Sequence, residues 1–581
     1  MNARLLVCVA LAVVGLLRVN AAPAASRQQS PVASRWLRGM TLRDRIAQLL
    51  VVPCYGEDPA QISEQYKRYT HYVRNLHVGG FIVINRVVQG TVRNAEPHAM
   101  ASFLNRMQRL SKVPLLMAAD FERGASMRVS GTAKYPHLMA YGAANDLALT
   151  RQLGADTAKE ARALGIHWVF APDADVNSNP DNPIINTRSF GEDPQRVAQH
   201  VNAFIEGTQA DPLNRVLATA KHFPGHGDTD IDSHMELPSL RANRARLGQV
   251  EWLPFRAAVQ AGVDAVMSAH MSAPALDPAG VPATVSPTVL TGALRQELGF
   301  RGLIVTDAMD MQGLTKQFPG GEAAVRALQA GADVLLMPPD PEAVLKAVEA
   351  AVKSGRLTQK RIGESALRVL AAKATVGLHR SKLVRIEAIT DTIESPAFAE
   401  HAQLAADRGI TVLRNKDQAI PLKAPASSCF WILAESRYGQ GGRKMGEEIR
   451  QRSKQTPVFA LDPLVPDTEI HALLEKSTQC EANVVAAFAT SGAYKGNVSL
   501  AGGYPMLVAA LQERSRTPLI LVAVGTPYLL RAFADVPSYV TTFSSTPTAE
   551  TAAVKLLFGE IRSSGRMPVS LPGLAAIGDG L

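Results

Sequence analysis

The chain is expected to be an α/β protein: a (β/α)8 barrel of the TIM type followed by a smaller αβα sandwich domain. Three observations point there. Eight short apolar runs alternate with amphipathic stretches between about residues 35 and 375. Each run is nearly continuous in Val, Ile, Leu, Ala and Met, as strands buried on both faces are. Polar residues stand at the ends of several runs, where such a barrel places its chemistry. A doubly wound open sheet is the alternative that this alternation leaves open.

The eight runs are Leu49–Pro53, Gly80–Ile84, Pro114–Ala119, His167–Pro172, Val216–Lys221, Ala265–His270, Leu303–Asp307 and Val334–Pro338. Helical segments separate them. In one, Leu149, Leu153, Thr157, Ala161 and Leu164 recur at spacings of three or four, which puts them on one helix face. Gly165 then supplies the C-cap. The barrel is expected over 35–375, with a less apolar connector over 376–400. A second αβ pattern fills 401–581. Its runs are Ile410–Leu413, Phe430–Ala434, Val458–Leu461, Val484–Ala489, Leu519–Val524 and Tyr539–Phe543. This part lacks a dense cluster of His, Asp and Glu and reads as structural or accessory.

The N-terminus reads as a secretory signal over residues 1–21. Arg4 gives a positive start and Leu5–Leu17 an apolar run too short to span a bilayer comfortably. Val19, Asn20, Ala21 and Ala22 offer small residues for cleavage, and an uncleaved anchor is the alternative. The expected location is periplasmic or secreted. Cleavage would remove Cys8 and leave Cys54, Cys429 and Cys480, an odd number, so at least one is free or pairs between chains.

With 46% hydrophobic and 19% charged residues, the chain is neither disordered nor fibrous. Its net charge of +9 is spread without a Lys/Arg run. That favours acidic partners such as cell-wall polymers and disfavours nucleic acid.

The densest chemistry is Lys221-His222-Phe223-Pro224-Gly225-His226-Gly227-Asp228-Thr229-Asp230-Ile231-Asp232-Ser233-His234. It follows an expected strand, so it should loop over the barrel mouth. In extended backbone Asp232 and His234 point to one side. A carboxylate beside an imidazole makes a tuned acid/base. The same three His and three Asp suit a divalent metal, or a merely solvated loop. Asp307 ends a buried strand, as a covalent nucleophile or an ion-paired Asp would, and Asp310 follows in the next turn. Asp120–Arg128 and Asn186–Pro194 carry further Asp and Arg residues suited to a polyhydroxylated ligand, or to ordinary loop ion pairs.

At these residues the sequence resembles the family 3 glycoside hydrolases, specifically the β-N-acetylglucosaminidase branch. Lys221 to Gly227, with Asp232-Ser233-His234 and Pro238, is similar to that branch's diagnostic loop. Ala171-Pro172, Asp175-Val176-Asn177, Arg188-Ser189-Phe190-Gly191, Asp193-Pro194 and Gly302 to Asp307 are similar to further family segments, in the same order. Weaker likeness continues through Gly409 to Asn415, Pro421-Leu422 and Met567 to Gly573, as in two-domain members.

The resemblance implies a retaining exo-β-N-acetylglucosaminidase without metal or organic cofactor. Asp307 would be the nucleophile, and His234, oriented by Asp232, the acid/base. Asp120, Arg128, Arg188, Lys221 and His222 would grip the terminal N-acetylglucosamine. His226 and Asp228 would shape the loop, and Asp310 would be structural. Export fits work on cell-wall fragments or chitooligosaccharides. Other readings are a β-glucosidase, a phosphorylase of the same family, a metal-dependent hydrolase, or a silent carbohydrate-binding protein. The chain departs from the family at Asp120-Phe121-Glu122-Arg123-Gly124, where members usually carry Asp-Gln-Glu-Gly-Gly. Arg123 therefore changes the pocket rim.

Overall fold

The computed structural model describes residues 30–581 apart from 90, 437, 438, 496, 497 and 515. The expected signal segment, 1–21, lies outside the described residues. All eight expected barrel strands form: β1 (Leu50–Cys54), β2 (Gly80–Val83), β3 (Leu116–Ala119), β4 (Trp168–Val169), β5 (Thr219–Phe223), β6 (Ala265–Ser268), β7 (Leu303–Thr306) and β8 (Leu335–Leu336). Their ladders run β8-β1-β2-β3-β4 and β5-β6-β7, every pair parallel. Parallel bridges Trp168↔Leu217 and Val305↔Val334 join the two arcs. The ring closes in sequence order, which excludes the open doubly wound sheet.

Burial explains why the strands read as unbroken apolar runs. Their inner side chains fill the barrel and their outer ones meet the helices, so neither face is wet. Pro53 sits in β1 without breaking the ladder. Pairing to β8 stops at Val51↔Leu336, so the missing Pro53 N–H has no partner to lose there. The helix with the expected apolar face spans Leu147–Ala163. Asp146 caps its start, accepting from Ala148 N at 2.9 Å, and Gly165 ends it with φ 83°. It packs against the next helix, Pro194–Gln209.

Residues 376–395 lead out of the last barrel helix, Gln359–Thr375, and include a short helix, Ile389–Ile393. Helix Pro396–Gly409 follows. The second sheet contains β9 (Thr411–Asn415), β10 (Cys429–Leu433), β11 (Val458–Leu461), β12 (Asn483–Ala489), β13 (Leu519–Gly525) and β14 (Ser538–Thr541). Its order is β9-β14-β13-β12-β10-β11, parallel except for the β9/β14 edge.

Period-two burial makes it a three-layer sandwich. Trp431, Leu433, Val485, Ala487, Leu521 and Ala523 pack to one side. Phe430, Ile432, Val484, Ala486, Ile520 and Val522 pack to the other. The first core also takes in Met139, Ala140 and Ala143 of the barrel helix Leu138–Ala144, so the two domains share apolar packing. Polar contacts add to it: His137 N donates to Ser544 Oγ (3.1 Å), Asn177 Nδ2 to Tyr528 Oη (2.8 Å), and Ser570 N to Glu192 (2.6 Å).

Cys429 and Cys480 form a disulfide within the second domain, and Cys54 is free and buried in β1. Burial pushes the Cys54 thiol up to about 12, so it stays protonated and inert. Among the described residues no helix is long and apolar enough to cross a membrane.

Candidate functional site

The C-terminal ends of the barrel strands open into a cavity of about 500 Å³. Asp120 follows β3, and Lys221 and His222 lie in the last three residues of β5. Lys221 Nζ lies 3.1 Å from Asp120 and 2.7 Å from Glu122. Arg128 pairs with Asp120 at 2.8 Å. Arg188 pairs with Glu122 at 2.8 Å and with Asp173 at 3.1 Å. Three cations and three acidic side chains thus form one chain, Arg128–Asp120–Lys221–Glu122–Arg188–Asp173. Its members fix one another's rotamers along the cavity wall.

Burial alone would raise the pKa of Glu122. Arg188 and Lys221 overcome it and hold the carboxylate well below its usual range. Glu122 joins two expected sugar-gripping cations, a role the sequence did not reveal. Its presence between Asp120 and Arg128 was the available signal.

His222 is set from behind. Its Nδ1 lies 2.7 Å from Asp175 Oδ2, which leaves Nε2 toward the cavity side. Asp175 also accepts from His226 N at 2.6 Å. Burial and the Asp175 charge raise Asp173 above the carboxylate range, while His222 holds Asp175 well below it despite burial. Asp173, Asp175 and His222 offer ligand atoms within 4.8 Å of one another, a spacing that can hold a metal ion. Arg188, 3.1 Å from Asp173, already supplies positive charge there.

The loop after β5 is held by close backbone approaches that demand its glycines. A Cβ on Gly227 would stand 1.9 Å from the Val176 carbonyl oxygen. Gly225 has φ 122°, and a Cβ there would meet Glu251. The His226 ring lies 2.7 Å from Thr229 Oγ1 and 3.1 Å from Ser233 Oγ. Thus anchored, the loop delivers Asp232 and His234 to the cavity. Asp232 Oδ1 accepts from His234 N at 2.9 Å and lies 2.7 Å from His234 Nδ1. The Asp232 side chain is 1% exposed and that of His234 27%, so the carboxylate stands behind the ring.

The second domain closes this arrangement. Tyr494 N donates to Asp232 Oδ2 at 2.7 Å, and the Tyr494 ring meets the His234 ring edge-on at 5.2 Å. Ser491, Gly492, Ala493 and Tyr494 all line the cavity. The expectation that this domain is merely structural or accessory is therefore corrected. A backbone amide and one aromatic ring leave no His/Asp/Glu signature in sequence. Burial works against the Asp232 charge, and the His234 ring and amide with the Tyr494 amide hold its pKa below the ordinary value.

Asp307 stands at the end of β7, and Ala308 N donates to its Oδ1 at 2.8 Å. Burial raises its pKa, but the imidazoles of His222, His270 and His234 more than offset this and keep it below the usual carboxylate value. His270 is fixed between Thr284 Oγ1 (2.8 Å) and the Ala308 carbonyl (3.0 Å). Asp120, Arg128, Arg188, Lys221, His222, His234 and Asp307 line one cavity, with Asp232 directly behind His234. An ionised carboxylate and a carboxylate-backed imidazole therefore share a pocket whose wall is dense in hydrogen-bonding groups. Such a set can do nucleophilic and acid/base chemistry on a polyhydroxylated ligand.

A profile described as "Glycosyl hydrolase family 3 N terminal domain" matches residues 41–372. A "Beta-N-acetylglucosaminidase/beta-glucosidase" of Cellulomonas fimi is 30% identical over 65% of this chain and 65% of its own. A "Beta-hexosaminidase A" of Pseudoalteromonas piscicida is 32% identical over the same shares. The likeness thus spans about two thirds of these curated relatives' length. A solved glycoside hydrolase family 3 β-N-acetylglucosaminidase of Paenibacillus sp. str. FPU-7 superposes with a TM-score of 0.81 at 31% identity. That superposition covers 92% of this chain and all of that one.

Proposed function

The chain belongs to glycosyl hydrolase family 3, and from that premise we propose that it is a retaining exo-β-N-acetylglucosaminidase. Its substrates on this reading are cell-wall fragments or chitooligosaccharides. The observation that carries the reading is the shared cavity of Asp307 and His234, with His234 Nδ1 tied to Asp232 so that Nε2 is the ring atom left to meet substrate.

In the first half-reaction the Asp307 carboxylate attacks C1 of the terminal sugar. The C1–O bond to the leaving group breaks, and imidazolium His234 gives that oxygen its proton. In the second half, neutral His234 takes a proton from water. The water oxygen bonds to C1 and the Asp307 ester bond breaks. Two inversions give net retention. Retaining glycosidases generally use a second carboxyl group where this site has an imidazole. Asp232 holds the imidazole in one tautomer, with Nδ1 engaged and Nε2 free for the leaving oxygen. Asp120, Arg128, Arg188, Lys221 and His222 bind the sugar's hydroxyl and acetamido groups.

Export to the periplasm or medium is part of the proposal. It is supported by residues 1–21 and by the Cys429–Cys480 disulfide, since disulfides persist in oxidising compartments. A role in peptidoglycan turnover would follow from that location.

The direct test is hydrolysis of 4-nitrophenyl N-acetyl-β-glucosaminide beside the matching β-glucoside, with and without chelator. Chelator-insensitive turnover of the N-acetyl substrate is expected. Turnover that chelator abolishes and zinc or manganese restores would move the chemistry to the Asp173–Asp175–His222 cluster. Preference for the glucoside would overturn the assigned specificity.

Tyr494→Gly tests the second domain's part. Glycine accepts the φ of 66° at this position and keeps the amide that bonds Asp232, so only the ring is lost. An edge-on aromatic contact is worth about 0.5–1.5 kcal/mol. The kcat should fall roughly 2- to 10-fold, with KM little changed. An unaltered kcat would show that the ring does not position His234.

A further inference from the structure

The cations of the cavity wall are matched to carboxylates with one exception. Arg128, Lys221 and Arg188 each have a carboxylate partner within 3.1 Å. Arg123 lines the same cavity, yet among the described residues its guanidinium makes no ion pair, hydrogen bond or ring contact. Burial pulls its pKa down to about 10; Glu122 opposes that shift and Arg128 adds to it. Its neighbour His137 carries no compensating charge. Burial and Arg123 push that imidazole down to about 3, and its Nδ1 is engaged with Ser544 Oγ at 2.9 Å. A half-buried cation without a partner is costly to hold. An anion arriving with the substrate would supply the missing partner.

The position narrows which part of the substrate carries that anion. Arg123 belongs to the loop of Asp120, Glu122 and Arg128, the wall proposed to hold the terminal sugar. The charges that act on it are Glu122 and Arg128, whereas those that act on Asp307 are His222, His270 and His234. The leaving group departs on the side of His234, which gives it its proton.

We infer that Arg123 forms an anion subsite for the terminal sugar itself, selecting a β-N-acetylglucosaminide that bears a sulfate, phosphate or carboxylate substituent. The inference rests on the glycosidase reading of the site. It gives a purpose to Arg123, one of the two residues at which this chain departs from the usual family motif. A charge-assisted hydrogen bond in such a setting corresponds to roughly 10- to 100-fold in kcat/KM.

The experiment compares 4-nitrophenyl N-acetyl-β-glucosaminide with its 6-O-sulfo and 6-phospho derivatives and with the 3-O-carboxyethyl ether, so that the arms separate the three anion sources. The full chain, Arg123→Gly and Arg123→Lys are each assayed. At least one anionic sugar should exceed the neutral parent by about 10-fold or more. Arg123→Gly should abolish or reverse that preference, read as the ratio of kcat/KM for the anionic and neutral sugars within the same variant. Arg123→Lys should restore part of it. Thermal melting shows whether each variant is folded, and the lysine variant keeps the test decisive if the glycine variant is not.

Preference for the neutral sugar by the unaltered protein would overturn the inference. So would an anionic preference that survives Arg123→Gly. In each case the parent glycoside is still hydrolysed, and the glycosidase reading stands. Absence of turnover on every arm would instead refute that reading, and this inference with it.

Discussion

Asp307→Ala is expected to lower kcat on 4-nitrophenyl N-acetyl-β-glucosaminide by on the order of 10⁴-fold or more, with the fold intact. The size follows from the role. Without the carboxylate no glycosyl-enzyme can form, and what remains is binding plus whatever protonation His234 supplies. The fold should survive because, among the described residues, the Asp307 side chain takes its one hydrogen bond from the adjacent Ala308 amide. Removing a carboxylate that three imidazoles hold ionised also relieves a burial cost.

Its lowered pKa keeps Asp307 charged through neutral and mildly acid pH. The acid limb from protonation of this group is therefore centred below the ordinary Asp value, and a limb centred above it belongs to another group. Azide gives a second readout. A small anion can enter the space left by the side chain and attack C1 from the same side. It expels the leaving group and gives an α-glycosyl azide. Near-normal kcat in a folded, pure Asp307→Ala protein would refute the nucleophile assignment.

Much of this site was legible in the sequence because strands and their ends are local. The run Leu303 to Thr306 and the Asp after it lie within five residues, and so do Asp232 and His234. A buried strand announces itself by composition, and a carboxylate at its C-terminal end needs no distant partner to be noticed. The glycines of the loop after β5 were visible as breakers, although the backbone atoms they make room for, Val176 among them, lie far away in sequence.

The parts that escaped are contacts between separate loops. Glu122 is the hub of the cation chain because Arg188 comes to it from 66 residues away. Tyr494 reaches Asp232 across 262 residues and through a backbone amide, which any residue but proline could supply. The Cys429–Cys480 pair shared with Cys54 a count of three that fixed the parity but not the partner. Periodicity reports which face of an element is buried and is silent on which loops meet. The second domain therefore looked chemically empty until its 491–494 segment was seen beside His234.

His234→Ala should separate the two halves of the mechanism by leaving group. The quantity to read is kcat/KM, which reports the steps through formation of the glycosyl-enzyme. A sugar leaving group, as in a chitooligosaccharide, is a poor one and needs its oxygen protonated as the bond breaks. There the loss should reach about 10²- to 10⁴-fold, the usual worth of general acid catalysis. A 4-nitrophenolate leaves unaided, so kcat/KM for the aryl glycoside should fall less than about 10-fold. Its kcat should fall further, because water must still attack Asp307's ester without a base.

Added azide, which needs no deprotonation, should then restore kcat on the aryl substrate. Asp232→Asn should shift both substrates in the same direction by less. The ring remains there, but the carboxylate tied to it at 2.7 Å, which fixes its orientation and tautomer, is gone. Equal losses in kcat/KM for the sugar and aryl leaving groups would place His234 outside proton transfer. Its bond to Asp232 and its contact with Tyr494 would then serve only to shape the cavity.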